Sequence, residues 1–325
     1  MTKIFDYIKL NKKAFYLYGG MLLGFLLLIT VAITTQTATP YNPIAIDVGF
    51  AQIAWYAVFI LTGITLAATL GYFEFKRLGL NTDILFDGLL YTVPISIIGS
   101  RIYYVIFDPT PNYNTLWDVF DLRRGGLSIH GVVITVILFL IIFTKIKKVN
   151  FWLITDIVAP GFFIGQIVGR WGNFMNAEAY GPAIQSQWVL NILPAFIREQ
   201  MFINGVYHHP TFLYEGIWNF VGLVLMLIIR RKRWFKVGDL IGLYLIWYGF
   251  GRGLIIEPLR TQGAPGDALR FFGVPINIYL SLTLFMLGGL AIILGKRHVI
   301  KDQAFYVDLF VDETGESHAD QDVSV

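Results

Sequence analysis

Arg101, His130, Arg170, Glu215, Arg252 and Glu257 are among the ionisable side chains that lie within otherwise apolar stretches of this 325-residue chain. Charged groups in such stretches are costly to bury and mark function by default. Three guanidiniums call for an anion, because the planar fork of arginine pairs bidentately with phosphate. His130 is the only one of five histidines inside an apolar stretch. An imidazole exchanges its proton near neutral pH, which makes His130 the leading general base. One Arg at the end of an apolar stretch would be read as snorkelling to lipid headgroups. Three of them, with a His and two Glu, point instead to a shared site for a phosphate, and at membrane depth the abundant phosphate is a lipid headgroup.

The densest polar pattern is Gly169-Arg170-Trp171-Gly172-Asn173-Phe174-Met175-Asn176-Ala177-Glu178-Ala179-Tyr180-Gly181. Arg170 and Asn173 are three apart and share a helix face. Asn176 continues that row where the helix should end, and Glu178 and Gly181 follow. Upstream, Gly161, Gly165 and Gly169 form a row of small residues that admits a second helix at close range. In GGLSIHG (125–131), Ser128 and His130 are two apart and do not face each other on a helix. The string is not a nucleophile elbow either, so a serine nucleophile is not expected. No second ligand stands at metal-binding spacing from His130, so no metal is expected. Tyr56, in WYAVF, opens another apolar stretch and is a further candidate.

The elements that must position these residues follow from composition. The chain is 56% hydrophobic, 14% charged and free of cysteine. That balance excludes a soluble domain and indicates a polytopic, all-α membrane protein. Eight stretches are long enough to span, at 14–34, 52–74, 86–107, 127–144, 152–175, 211–230, 238–257 and 276–295. Seventeen Lys and Arg fall in one set of connections and five in the other, which places both termini in the cytoplasm. All six ionisable groups then lie at the outer boundary. The first stretch is too long for a signal peptide and reads as an uncleaved anchor. Residues 1–51 read as an N-terminal stretch with an added helix, 52–300 as the catalytic membrane domain, and 301–325 as an acidic, disordered tail.

With these residues in view, the chain resembles the prolipoprotein diacylglyceryl transferases of bacterial plasma membranes. The GRWGNFMNAEAYG string carries the likeness. GGLSIHG, WYAVF, HPTFLYE (209–215) and WYGFGRGLIIEPLRT (247–261) support it in the family's order. The resemblance implies seven spans, so 14–34 is an addition. It also implies transfer of the diacylglyceryl group of phosphatidylglycerol to the lipobox cysteine of prolipoproteins. His130, Arg252 and Tyr56 would then be catalytic, and Arg170, Asn173, Asn176, Glu178, Gly181, Arg101, Glu215 and Glu257 would bind substrate. No cofactor and no nucleic-acid partner are expected. The sequence departs from the family in two places. Val132 stands where a second Gly is usual, and Arg252 precedes Glu257 by five residues rather than four. On a regular α-helix that spacing turns the two apart, unless a bulge near Pro258 absorbs the extra residue. The alternative function is a transporter or channel for an anionic solute. It predicts internal repeats or polar residues near the midplane, and the sequence shows neither.

Overall fold

The computed structural model describes residues 12–49, 52–108, 113, 115–120, 126–263, 270–300 and 303–310. Among these residues eight helices are long and apolar enough to cross a membrane, and they coincide with the eight stretches read from the sequence. In chain order the elements begin with α1 (Lys12–Thr34), the hairpin β1 (Ile44–Asp47) and β2 (Gln52–Ala54), and α2 (Trp55–Arg77). They continue with α3 (Asp83–Ile106), the short α4 (Leu116–Phe120), α5 (Ile129–Lys147) and α6 (Phe151–Met175). A polar connection follows, with α7 (Gln187–Ile192), α8 (Ala195–Gln200) and the hairpin β3 (Phe202–Ile203) and β4 (Val206–Tyr207). Then come α9 (Thr211–Ile229) and α10 (Asp239–Phe250), which passes through a π-helical segment (Gly251–Ile256) into α11 (Glu257–Gly263). The hairpin β5 (Arg270–Phe271) and β6 (Val274–Pro275) leads into α12 (Ile276–Leu280), a second π segment (Ser281–Leu287) and α13 (Gly288–Val299). The three two-stranded hairpins all lie in connections, where period-2 patterns are too short to read from hydropathy.

The chain forms two compact units. One comprises residues 1–67, 159–232 and 241–301, the other 68–158, 233–240 and 302–325. In the first, α9 turns a row of Phe212, Glu215, Asn219, Gly222 and Met226 inward, all buried. Spacings of three and four put these residues on one face, and two of the five are polar. The row of small residues on α6 is only partly used for packing. Gly161 lies against Ala67, whereas Gly165 and Gly169 have open space where a Cβ would stand.

In the second unit α3 and α5 cross closely at Gly131, where a Cβ would overlap the Gly99 carbonyl and Tyr103. Within the acidic tail, residues 303–310 pack against the second unit's own residues. Phe305 bridges to Lys236. Tyr306, 1% exposed, donates its hydroxyl to Glu74 Oε1 at 3.0 Å. Three aromatic residues within six positions (Phe305, Tyr306, Phe310) supply apolar area that the acidic composition of the tail concealed. Residues 311–325 lie outside the described ones.

Candidate active site

The end of α6 carries the centre of the site. Helix ends leave carbonyls without partners. Gln200 supplies them here, donating Nε2 to the carbonyls of Phe174 and Met175 at 3.0 and 3.3 Å. Trp171 and Phe174 pack edge-on against Phe212, Phe196 and Tyr41, so this end of the helix is held on several sides. Beyond it, Ala177 and Ala179 adopt left-handed backbone at φ 49° and 54°, which turns the chain back.

On that scaffold the charged groups form one continuous chain. Arg170 donates to Asn173 Oδ1 at 3.2 Å and to Glu215 Oε1 at 2.7 Å. Asn173 in turn donates to Glu178 Oε1 at 2.7 Å. The other oxygen of Glu215 accepts from Arg252 at 3.3 Å. Arg252 also meets Glu257 Oε2 at 3.0 Å, and Arg260 stands 3.8 Å from the same oxygen. Glu215 is 4% exposed and bridges two arginines that remain partly open, at 20% and 16%.

The pairing of Arg252 with Glu257 resolves the five-residue spacing. The extra residue is taken up in the π segment, where the Glu257 N–H donates to the Arg252 carbonyl. Pro258 has no N–H and its ring crowds the carbonyl four residues back, which favours such a bulge at this point. Five residues of ideal α-helix would have turned the two side chains roughly 140° apart.

The remaining predicted residues fall around this chain or in the other unit. Tyr56, at the start of α2, lays its ring against Gly172, where a Cβ would overlap it. Asn176 is exposed just past the helix end. Gly181 closes the polar connection, since its N–H donates to the His209 carbonyl at 2.9 Å and its carbonyl accepts from His208 Nδ1 at 2.9 Å. Thr211 bonds the Ala179 carbonyl, tying the start of α9 to the same loop. The His209 ring contacts the Tyr214 hydroxyl at 2.9 Å. Burial, with His208 alongside, holds its pKa below the usual histidine value.

Arg101 and His130 belong to the second unit. Arg101 is 2% exposed and spends its guanidinium on backbone carbonyls, those of Val119 at 2.6 Å, Asp118 at 3.0 Å and Gly126 at 3.1 Å. Ser100, next to it, donates its hydroxyl to the Ser128 carbonyl at 2.9 Å. His130, exposed at the head of α5, stacks on Tyr103 at 5.9 Å between ring centres. Among the described residues no group of His, Asp and Glu converges at metal-binding distance.

Several members were not singled out from the sequence. Arg260 follows Glu257 by three residues, a spacing that shares a face. Gln166, Asn219 and Tyr248 lie four residues from Arg170, Glu215 and Arg252, each further into its span. The i±4 rows were present in the sequence, but none of these polar residues is ionisable near neutral pH, and so none stood out.

Eight helices among the described residues that are long and apolar enough to span, with a chain of arginines and glutamates joining three of them, define a polytopic membrane protein. Residues 43–294 match the family model described as prolipoprotein diacylglyceryl transferase, and the chain belongs to that family. It is 43% identical over 267 residues to the phosphatidylglycerol–prolipoprotein diacylglyceryl transferase of Streptococcus pneumoniae Hungary19A-6, covering 82% of this chain and 97% of that protein. The protein of the same name from Streptococcus suis 05ZYH33 is 42% identical over 265 residues, 81% of this chain and 96% of that one. Its namesake from Listeria welshimeri is 40% identical over 272 residues, 83% and 95% of the two chains. α1 lies wholly outside the matched residues.

Proposed function

We propose that this chain transfers the diacylglyceryl group of phosphatidylglycerol to the lipobox cysteine thiol of prolipoproteins. A thioether forms and glycerol phosphate leaves, in the first step of bacterial lipoprotein maturation. The chain would act at the outer face of the plasma membrane, with both termini cytoplasmic. The supporting observation is the Arg170–Glu215–Arg252–Glu257–Arg260 chain, in which three guanidiniums face two carboxylates. One positive charge is left over for an anion.

In this reading the sulfur attacks the glycerol carbon next to the phosphate. The S–C bond forms as the C–O bond breaks, and the electron pair departs on the phosphate oxygen. Arg170 and Arg252 hold that phosphate and bind it more tightly as its charge grows. A thiol with a pKa of about 8.5 must lose its proton first, and we assign that proton to His130. Tyr56 is assigned to substrate contact at the mouth of α2. Asn173 and Glu178 steady Arg170, while Asn176 and Gly181 shape the loop over it. Arg101, its guanidinium engaged by backbone carbonyls, is assigned to bracing the loop ahead of His130 rather than to the lipid.

The test is direct. Purified protein in vesicles containing phosphatidylglycerol should add one diacylglyceryl mass to a lipobox peptide, and a Cys→Ser peptide should gain nothing. An unmodified peptide, together with saturable phosphate or phosphate-ester flux across the vesicle, would favour the anion transporter instead.

A further inference from the structure

A second polar layer lies one turn further into the spans, on the same three helices that carry the ion chain. Gln166 precedes Arg170 on α6, Asn219 follows Glu215 on α9, and Tyr248 precedes Arg252 on α10, each by four residues. Gln166 donates Nε2 to the Tyr244 hydroxyl at 2.7 Å, and the Tyr244 ring stacks on Tyr248 with centres 5.9 Å apart. Beside this layer one tryptophan pair joins α9 and α10. Trp218 and Trp247 stack at 4.4 Å, and each indole N–H donates to the other's carbonyl at 3.2 Å.

Within this rigid surround Asn219 is 1% exposed. Neither its Nδ2 nor its Oδ1 has a hydrogen-bond partner among the described residues, and Gln166 Oε1 has none either. A buried oxygen with an unused lone pair is fairly common, whereas a buried N–H without a partner is rare. Leaving one costs about 1–3 kcal/mol. Leucine would fill the same space without that penalty, so the amide has a use that the free protein does not show.

What binds there follows from what binds one turn away, and the inference therefore rests on the phosphate reading above. In a phospholipid the headgroup continues outward from the phosphate, and the glycerol esters lie inward of it, toward the acyl chains. The separation between phosphorus and the nearer ester carbonyl is a few single bonds, comparable with the helical pitch of about 5.4 Å. Ester oxygens only accept hydrogen bonds, and Asn219 Nδ2 only donates them. We propose that Asn219 binds an ester carbonyl of the diacylglyceryl group while Arg170 and Arg252 hold the phosphate. Two anchors, one on each side of the glycerol carbon under attack, fix that carbon in line for the thiol.

Ether-linked phosphatidylglycerol has the same headgroup, phosphate and chains but no ester carbonyls. Transfer to a lipobox peptide is measured from the diester and the diether lipid, with wild type and Asn219→Leu. Wild type should prefer the diester by about tenfold, the worth of one buried hydrogen bond. Asn219→Leu should lose about tenfold on the diester and nothing on the diether, so that the preference disappears. The Leu variant should also melt no lower than wild type, because the amide it removes has no partner in the free protein. An equal loss on both lipids, as a trapped water or a packing defect would give, overturns the proposal, and so does a lowered melting temperature. Absence of transfer from either lipid by wild type would remove the proposed function itself, whereas equal losses by the variant remove only this assignment.

Discussion

Replacing Glu215 with Gln tests whether one buried carboxylate sets both arginines. Glu215 takes a bond of 2.7 Å from Arg170 and one of 3.3 Å from Arg252, and it is 4% exposed. Gln has nearly the same shape but a single carbonyl oxygen. Whichever guanidinium takes that oxygen, the other faces an N–H. Arg252 would still hold Glu257 at 3.0 Å, whereas Arg170 would keep only the Asn173 amide at 3.2 Å. Breaking a buried ion pair by removing one partner costs about 3–5 kcal/mol. Misplacing one donor aimed at developing charge costs about 10²–10³ in rate. The expected result is therefore a fall of about 10² or more in the rate of peptide lipidation at saturating phosphatidylglycerol, with a lower thermal midpoint. Glu257→Gln is the comparison. Its partners are Arg252 at 3.0 Å and Arg260 at 3.8 Å, so it releases one close arginine rather than two. If Glu215→Gln works within about threefold of wild type, less than 1 kcal/mol, the carboxylate does not set the guanidiniums and the reasoning fails. It fails equally if Glu257→Gln proves the more damaging of the two.

Arg170→Lys should lose about 10² in rate, because one ammonium cannot hold Glu215 and Asn173 and still present a planar fork, and near-wild-type transfer would show that charge alone suffices. His130→Gln should lose transfer at pH 7 and regain part of it as pH passes the thiol's own pKa of about 8.5, whereas a deficit constant across that range would remove the base assignment. Deleting Leu254 should convert the π segment to α-helix and keep Arg252 beside Glu257 with activity largely intact, whereas deleting Leu245 should rotate both by about 100° and abolish it; matching losses would rule out the bulge as the element that sets the register. A cysteine at Gln185, in an otherwise cysteine-free chain, should react with an impermeant thiol reagent added outside intact cells, and labelling only after the cytoplasmic face is opened would reverse the orientation.

All eight spans were legible because a helix in lipid must be apolar over its whole length, a signal that needs no tertiary information. Arg170, Glu215, Arg252 and Glu257 were legible for the converse reason, since a charge in such a segment stands out by itself. Asn219, Gln166 and Arg260 were not. The first two carry no charge, and Arg260 lies at the boundary, where an arginine has a ready explanation in snorkelling. Arg101 has the residue type and the depth of a ligand, and its guanidinium meets the backbone carbonyls of Val119, Asp118 and Gly126, partners that no periodicity encodes. The π segment was half legible: the five-residue gap and Pro258 signalled an irregularity, and only packing decides which way a helix yields. The ordered 303–310 stretch was hidden because composition averages over a window, whereas one buried Tyr306 is enough to pin a strand of chain.

The charge count in the ion chain bears on why the arginines are paired at all. Bare guanidiniums would bind any anion strongly and release it slowly. Two carboxylates against three guanidiniums leave a surplus of one, which matches the single charge of a phosphodiester. Glu178 reaches Arg170 only through Asn173 and is exposed, so solvent screens its contribution. As the C–O bond breaks, the phosphate moves toward the charge of a monoester, about −1.5 to −2 at neutral pH. The excess falls on groups already fixed in place, so attraction increases along the reaction with little reorganisation. That is the condition for raising the rate rather than the affinity. On the proposed function, the carboxylates would serve two ends, holding the forks in position and keeping the site from being saturated by the lipid before it reacts.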